Sequence, residues 1–130
     1  MAAMNGNLQI RQQITTTPVH RERARVAELD GSLIGLAMVG KPEDQDTETS
    51  LQLYLIYLLA EHHGCGAASR LLTELLGEQP ASLWVFKDNP RAQGFYRKHG
   101  FEPDGSEKDL GEEENDASLR GVVELCMVRR

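Results

Sequence analysis

The chain predicts an α/β (α+β) fold, a mixed central β-sheet flanked by helices, and three observations carry that expectation. Residues 51–59 and 81–87 are apolar at nearly every position, as in strands buried on both faces of a sheet. Between them, residues 67–76 switch to helical period, with Ala68, Leu71, Leu72, Leu75 and Leu76 on one stripe. Strand, helix and strand in that order make a parallel pair with a right-handed crossover. Upstream, two apolar-rich runs at 25–29 and 32–39 are separated by Asp30-Gly31, the dipeptide of a type I′ hairpin turn.

The remaining elements follow in chain order. Residues 8–10 start a strand, or 8–14 form a short helical piece ended by Thr15-Thr16-Thr17-Pro18; both stay open. Residues 40–50, with a glycine, a proline and several acids, form an exposed loop. Gly77 stands at a C-cap position and Pro80 prevents continuation of the helix. In the 81–87 strand Leu83 and Val85 face one side and Trp84 and Phe86 the other, all expected in the core. Asn89 is a good N-cap with Pro90 at the first helical position, and Ala92, Phe95, Tyr96 and His99 recur at helical spacing before Gly100. A weak strand over 101–110, an acidic loop over 110–120 and a last strand over 122–128 complete the chain. One domain spanning 1–130 is expected, with a short N-terminal segment, 1–24, and a core, 25–130.

Bulk composition narrows the class. At 40% hydrophobic and 26% charged, the 130 residues have the balance of a globular domain rather than of a disordered or fibrous one. The longest apolar run, 51–60, is about half of a membrane span, and no basic-then-apolar leader is visible at the start, so no membrane partner is expected. Cys65 and Cys126 are too few and too far apart for a disulfide framework or a four-thiolate zinc site; no metal is expected, and a reducing, cytoplasmic compartment is. A net charge of −6, with acidic runs at 43–48 and 112–116, argues against a nucleic-acid partner and is compatible with a cationic small molecule. His20 and His99 are lone histidines, expected at the surface or at a cap.

Two stretches carry chemistry. Glu61-His62-His63-Gly64-Cys65-Gly66-Ala67-Ala68 lies between a buried strand and a helix, where small residues let a ligand approach and helix N-terminal amides can hold phosphate oxygens. No Gly-Lys-Ser/Thr follows, which excludes a Walker loop. A dinucleotide fingerprint using Gly64, Gly66 and Ser69, with Asp88 as the ribose acid, lacks its third glycine. The second stretch is Asn89-Pro90-Arg91-Ala92-Gln93-Gly94-Phe95-Tyr96-Arg97-Lys98-His99-Gly100-Phe101.

That second stretch resembles the Asn-x-x-Ala-x-x-Phe-Tyr-x-x-x-Gly-Phe segment of the GNAT acetyltransferases. The first, read as His63-Gly64-Cys65-Gly66-Ala67-Ala68, is similar to the Gln/Arg-x-x-Gly-x-Gly/Ala signature of the same superfamily. The two occur in the right order with one helix and one strand between them, and the resemblance covers roughly residues 25–130. It implies acetyl-CoA as acyl donor, held where two parallel strands splay. The pantetheine arm would bond the backbone near Leu58 and contact Asn89, and the pyrophosphate would meet the amides of His63, Gly64, Cys65, Gly66, Ala67 and Ala68. Tyr96 matches the tyrosine that protonates the departing thiolate, and the acceptor would be a primary amine of a small molecule or peptide.

The chain departs from the pattern at three places. His63 stands where Gln or Arg is usual, and Gln52 where relatives often carry a glutamate base; Tyr54, His62 or a water chain to an acidic loop residue are the substitutes. Relatives begin with a strand and two helices, whereas only about 24 residues precede the hairpin here, so the first strand and first helix are expected to be absent or vestigial. One flank of the sheet would then lie open, and a homodimer covering it is expected. The alternative from a different class is a non-catalytic acyl-CoA-binding or protein-interaction module on the same fold.

Overall fold

The computed structural model describes residues 8–13, 23–43 and 49–130, the side chains of 11–13 and 23 excepted. The strands are β1 (Leu8–Gln13), β2 (Arg23–Leu29), β3 (Ser32–Gly40), β4 (Gln52–Leu58), β5 (Ala81–Phe86), β6 (Glu102–Asp109) and β7 (Val123–Arg129). The helices are α1 (Ala67–Leu76), α2 (Pro90–Lys98) and the one-turn α3 (Leu110–Glu113). One mixed sheet results, ordered β1-β2-β3-β4-β5-β7-β6, with β4 and β5 parallel and every other neighbouring pair antiparallel. Among the described residues no helix is long and apolar enough to cross a membrane.

Local chemistry accounts for the elements. Asp30 and Gly31 both take positive φ, 51° and 82°, which matches a type I′ turn to the twist of β2 and β3. The apolar stripe of α1 puts Leu71, Leu72, Leu75 and Leu76 at 2% exposure or less, each worth about 1.5–3 kcal/mol of burial. Gly77, at φ 55°, ends that helix and its N–H returns to the Thr73 carbonyl. Asn89 Oδ1 accepts from the Ala92 N–H at 3.1 Å and Pro90 opens α2. Both long helices pack on one face of the sheet, where Val39, Leu53, Leu83, Met127 and Phe101 meet α1 and the Ala92, Phe95 and Tyr96 side of α2.

Four expectations are corrected. The first strand is present: β1 pairs with β2 along its length, because Leu8 and Ile10 alternate onto the core and its backbone finds a ladder there. The expectation about the first helix falls on residues outside those described. The 51–59 run is not buried on both faces. The β3–β4 register slips between Met38 and Val39, whose partners are Leu55 and Leu53, so Tyr54 is left out of the ladder. Leu53 and Ile56 then face the helices, while Leu55 and Tyr57 point to the other face at 40% and 59% exposure. Nor are Trp84 and Phe86 core residues: Phe86 is 48% exposed and half-buried Trp84 carries Lys108 Nζ 4.2 Å above its ring. Residues 110–120 are not all loop, since Asp109 caps α3 by accepting from the Gly111 N–H, and Asp116 starts a 3₁₀ turn at Ala117–Leu119. The acidic run at 43–48 falls, apart from Glu43, outside the described residues, as does His20.

Gly35 shows how tightly β3 and β4 lie together. It stands opposite Leu58, and a Cβ there would come within 2.8 Å of the Tyr57 carbonyl oxygen and of the Leu58 side chain. Gly35→Ala is expected to cost about 1–3 kcal/mol through overpacking, seen as a lower urea midpoint at unchanged slope. A midpoint equal to wild type would show that the strand pair has slack at this position.

Candidate active site

β4 and β5 share ladder positions only at Gln52–Ser82 and Leu53–Leu83. Past Leu53 the two strands part, and each keeps its antiparallel partner, β3 for β4 and β7 for β5. The opening leads into a cleft of about 400 Å³ between the end of β4, the start of α1 and one side of α2. Leu59 N–H donates to the Ile34 carbonyl at 2.9 Å. Successive residues of an extended chain send their peptide groups to opposite edges, so the Leu58 N–H and C=O are directed at the cleft. The Leu58 carbonyl indeed lies 2.9 Å from His63 Nε2.

The loop into α1 supplies a second set of backbone groups. Gly64 and Gly66 have φ of 82° and 89°, a conformation that a side chain would strain, and Gly66 caps α1 without any side-chain bond. The first-turn amides of α1 are therefore left without a side-chain cap, at the positive end of the helix dipole. Leu58, His63, Gly64, Gly66, Ala68, Asn89 and Tyr96 line the cleft. Cys65 and Ala67 do not: Cys65 is half-buried against the core and Ala67 is fully buried.

α2 adds Arg91 and Lys98, which stand at unspecified positions of the motif, to its fixed residues Ala92 and Phe95. Arg91, Phe95 and Lys98 line the cleft with Ala92. Their spacing of four and three residues puts them on one helix face, a signal present in the sequence. Ser69, singled out only within the dinucleotide fingerprint, and Ile56 line it too. Gln93 fixes α2 to the end of β5, its Nε2 donating to the Phe86 and Lys87 carbonyls at 3.0 and 2.9 Å.

Tyr96 packs edge-on to Phe95 at 5.4 Å and to Phe101 at 6.0 Å. Burial pushes its hydroxyl up from 10.0 to about 12, so it is protonated at neutral pH and able to donate. Neither Gln52 nor the residues offered in place of a base there gather with it. Gln52 is buried and its Oε1 accepts from the Glu43 N–H at 3.0 Å, Tyr54 donates to the Lys41 carbonyl, and neither they nor His62 line the cleft. Among the described residues, the cleft lining contains no carboxylate.

The comparisons agree with this architecture. A family model described as an acetyltransferase (GNAT) domain matches residues 20–103. An uncharacterized N-acetyltransferase of Mycobacterium bovis is 37% identical over 92 residues, covering 66% of this chain and 56% of the relative. The chain thus spans little more than half the length of the curated relatives it first matches. A GNAT family acetyltransferase from Elizabethkingia anophelis, solved with acetyl-CoA bound, superposes with a TM-score of 0.71 at 12% identity, over 95% of this chain and 98% of that one. Arabidopsis thaliana Naa50, in complex with the bisubstrate analogue CoA-Ac-MVNAL, superposes with a TM-score of 0.62 at 18% identity, over 82% and 72%. The chain belongs to the GNAT acetyltransferase family.

The raised tyrosine has a checkable consequence. A hydroxyl ionising near 10 when unfolded and near 12 when folded stabilises the fold below pH 10, and that contribution is lost as pH rises to 12. Its size is about 3 kcal/mol. Ultraviolet titration of the three tyrosines should show one ionising near 12, absent in Tyr96→Phe. Wild type should also lose more stability than the variant across that window. Three tyrosines titrating together near 10 would contradict the burial argument.

Proposed function

We propose that the chain transfers an acetyl group from acetyl-CoA to a primary amine of a small molecule or peptide. The observation that carries this is the edge of β4 at Leu58, outside the β5 ladder and with its carbonyl on His63, converging on the first turn of α1, which has no side-chain cap. An extended amide-bearing chain such as pantetheine pairs with a strand edge as an added strand does, and phosphates suit helix amides beside Arg91 and Lys98. Ile56, Leu58, Ala92 and Phe95 give that arm an apolar wall. The bound acetyl-CoA of the Elizabethkingia protein and the bisubstrate analogue on Naa50 support the same pairing of donor and acceptor.

When bound, acetyl-CoA supplies a thioester whose carbonyl carbon takes the amine nitrogen and whose sulfur leaves. Leu58 N–H faces the site where negative charge gathers on the carbonyl oxygen, and Asn89 borders the pantetheine path. Tyr96 donates to the departing sulfur. Full transfer from a hydroxyl near 12 to a thiolate of about 8.5 is uphill by roughly 5 kcal/mol, so the proton moves in concert with C–S cleavage and returns from the proton shed by the amine. With no carboxylate in the described lining, the acceptor enters as its free amine, and kcat/KM should rise with pH until its ammonium has titrated.

We further propose that one domain carries this activity and that a second copy covers the sheet face bearing Leu55, Tyr57 and Phe86. Cys65 and Cys126 are thiols rather than a disulfide, which supports a cytoplasmic setting.

Acetyl-CoA is expected to raise the melting temperature, by about 2.7 kcal/mol of stability at 100 times Kd, with NAD and ATP doing less. Thiol release should follow with an amine from a panel of amino acids, polyamines and N-terminal peptides, and Tyr96→Phe should lower turnover about 100-fold while leaving acetyl-CoA affinity near wild type. Binding without thiol release from any amine would turn the assignment to a non-catalytic module. Light scattering should show a dimer; a fully active monomer would remove the second copy.

A further inference from the structure

Ser69 and His99 meet across the gap between α1 and α2, and the reaction above uses neither. Ser69 is the third residue of α1 and lines the cleft. Its Oγ lies 3.1 Å from Nε2 of His99, the C-cap residue of α2. The imidazole is held elsewhere as well. It packs on Phe95 at 4.8 Å between ring centres, and the His99 carbonyl accepts from Arg129 Nη1 at 3.1 Å. Arg129 is fixed in turn by bonds to the Gly77 and Gln79 carbonyls. The serine therefore has a neighbour with little freedom to turn away.

A serine hydroxyl has one proton, and its direction depends on what Nε2 carries. With Nε2 bare, the hydroxyl donates to the ring and offers only lone pairs to the cleft. With a hydrogen on Nε2, the ring donates to Oγ and the hydroxyl is released to donate into the cleft. An anion at the first turn of α1 selects the second arrangement, and the imidazolium permits only that one.

We propose that His99 is a positioning residue for anion binding in the cleft, turning the Ser69 hydroxyl into a donor toward the diphosphate of the coenzyme. This rests on the acetyl-CoA assignment above. It also couples binding to a proton. Burial holds His99 below its usual value, and the cations Arg129 from β7 and Lys98 from α2 push it the same way, so the ring is neutral in the ligand-free protein near pH 7. A diphosphate beside Ser69 opposes those cations and requires hydrogen on Nε2, which raises the imidazole's proton affinity. Coenzyme affinity then strengthens as pH falls through the bound-state range of His99 and levels off below its ligand-free value.

Calorimetric titration with dephospho-CoA, whose diphosphate keeps its charge between about pH 5.5 and 8, tests this on wild type, Ser69→Ala and His99→Gln. Glutamine keeps a donor but does not titrate. Ser69→Ala should weaken binding about tenfold or more. His99→Gln should bind close to wild type at the alkaline end and show a smaller gain in affinity than wild type toward the acidic end, His63 of the same cleft being common to both. Nuclear magnetic resonance on unmodified protein should show the His99 pKa rising when dephospho-CoA binds. The inference is overturned if Ser69→Ala binds within twofold of wild type, if His99→Gln keeps the wild-type pH slope, or if the His99 pKa does not rise. Wild type that binds neither acetyl-CoA nor dephospho-CoA overturns the coenzyme assignment itself, and this inference with it.

Discussion

The parting of β4 from β5 after Leu53 is the constraint on which the rest of the structure depends. A sheet that abandons ladder bonds in its middle leaves polar groups exposed, at a cost that must be offset. Here each strand retains an antiparallel partner, β3 on one side and β7 on the other, so both halves of the sheet hold without the central seam. The Tyr54 slip bends β4 within that same stretch, and Gln93 ties α2 to the end of β5 through two carbonyls. The Leu58 carbonyl is then met by His63, and a ligand with a strand-like backbone has the Leu58 N–H to meet.

Helix termini finish the site. α1 begins at the same end of the sheet where β4 becomes free, because the crossover from β4 to β5 must start there. Its glycine cap withholds the side-chain acceptor that an aspartate or serine would have supplied, so the first turn faces outward unsatisfied. Although the chain carries a net charge of −6, the charged side chains that line the cleft are Arg91 and Lys98, with His63 beside them. Excess negative charge elsewhere is screened beyond about 8 Å at physiological salt, so the local cations set the sign that an anionic ligand meets.

The opposite face of the sheet has a different character. Leu55, Tyr57 and Phe86 stand open there, and Trp84 is shielded by a lysine rather than by a helix. Gln52 is enclosed and spends its amide oxygen on the Glu43 N–H, holding the loop after β3. The amide that stands where relatives often carry a glutamate base is thus a loop anchor in the structure. His99, expected at the surface or at a cap, is the C-cap residue of α2 and also reaches Ser69 of α1.

Periodicity, caps and turn dipeptides determined much of this protein without a fold. Asp30-Gly31, the leucines of the α1 stripe, Gly77 and Asn89-Pro90 each act through neighbours a few residues away, and the structure contains what they specify, although Ala67 is buried in place of Ala68, which lines the cleft. The two motifs marked His63, Gly64, Gly66, Ala68, Asn89 and Tyr96, and the resemblance they carry added Leu58; all seven line one cleft. Three things were decided only in three dimensions: which side of β4 is buried, where β4 and β5 separate, and which side chains from different elements meet. A one-residue slip at Tyr54 reverses the facing of every later residue in the strand, and apolar composition does not register it. The contact of Ser69 with His99 spans 30 positions and follows from how α1 and α2 dock on the sheet, which no local pattern encodes.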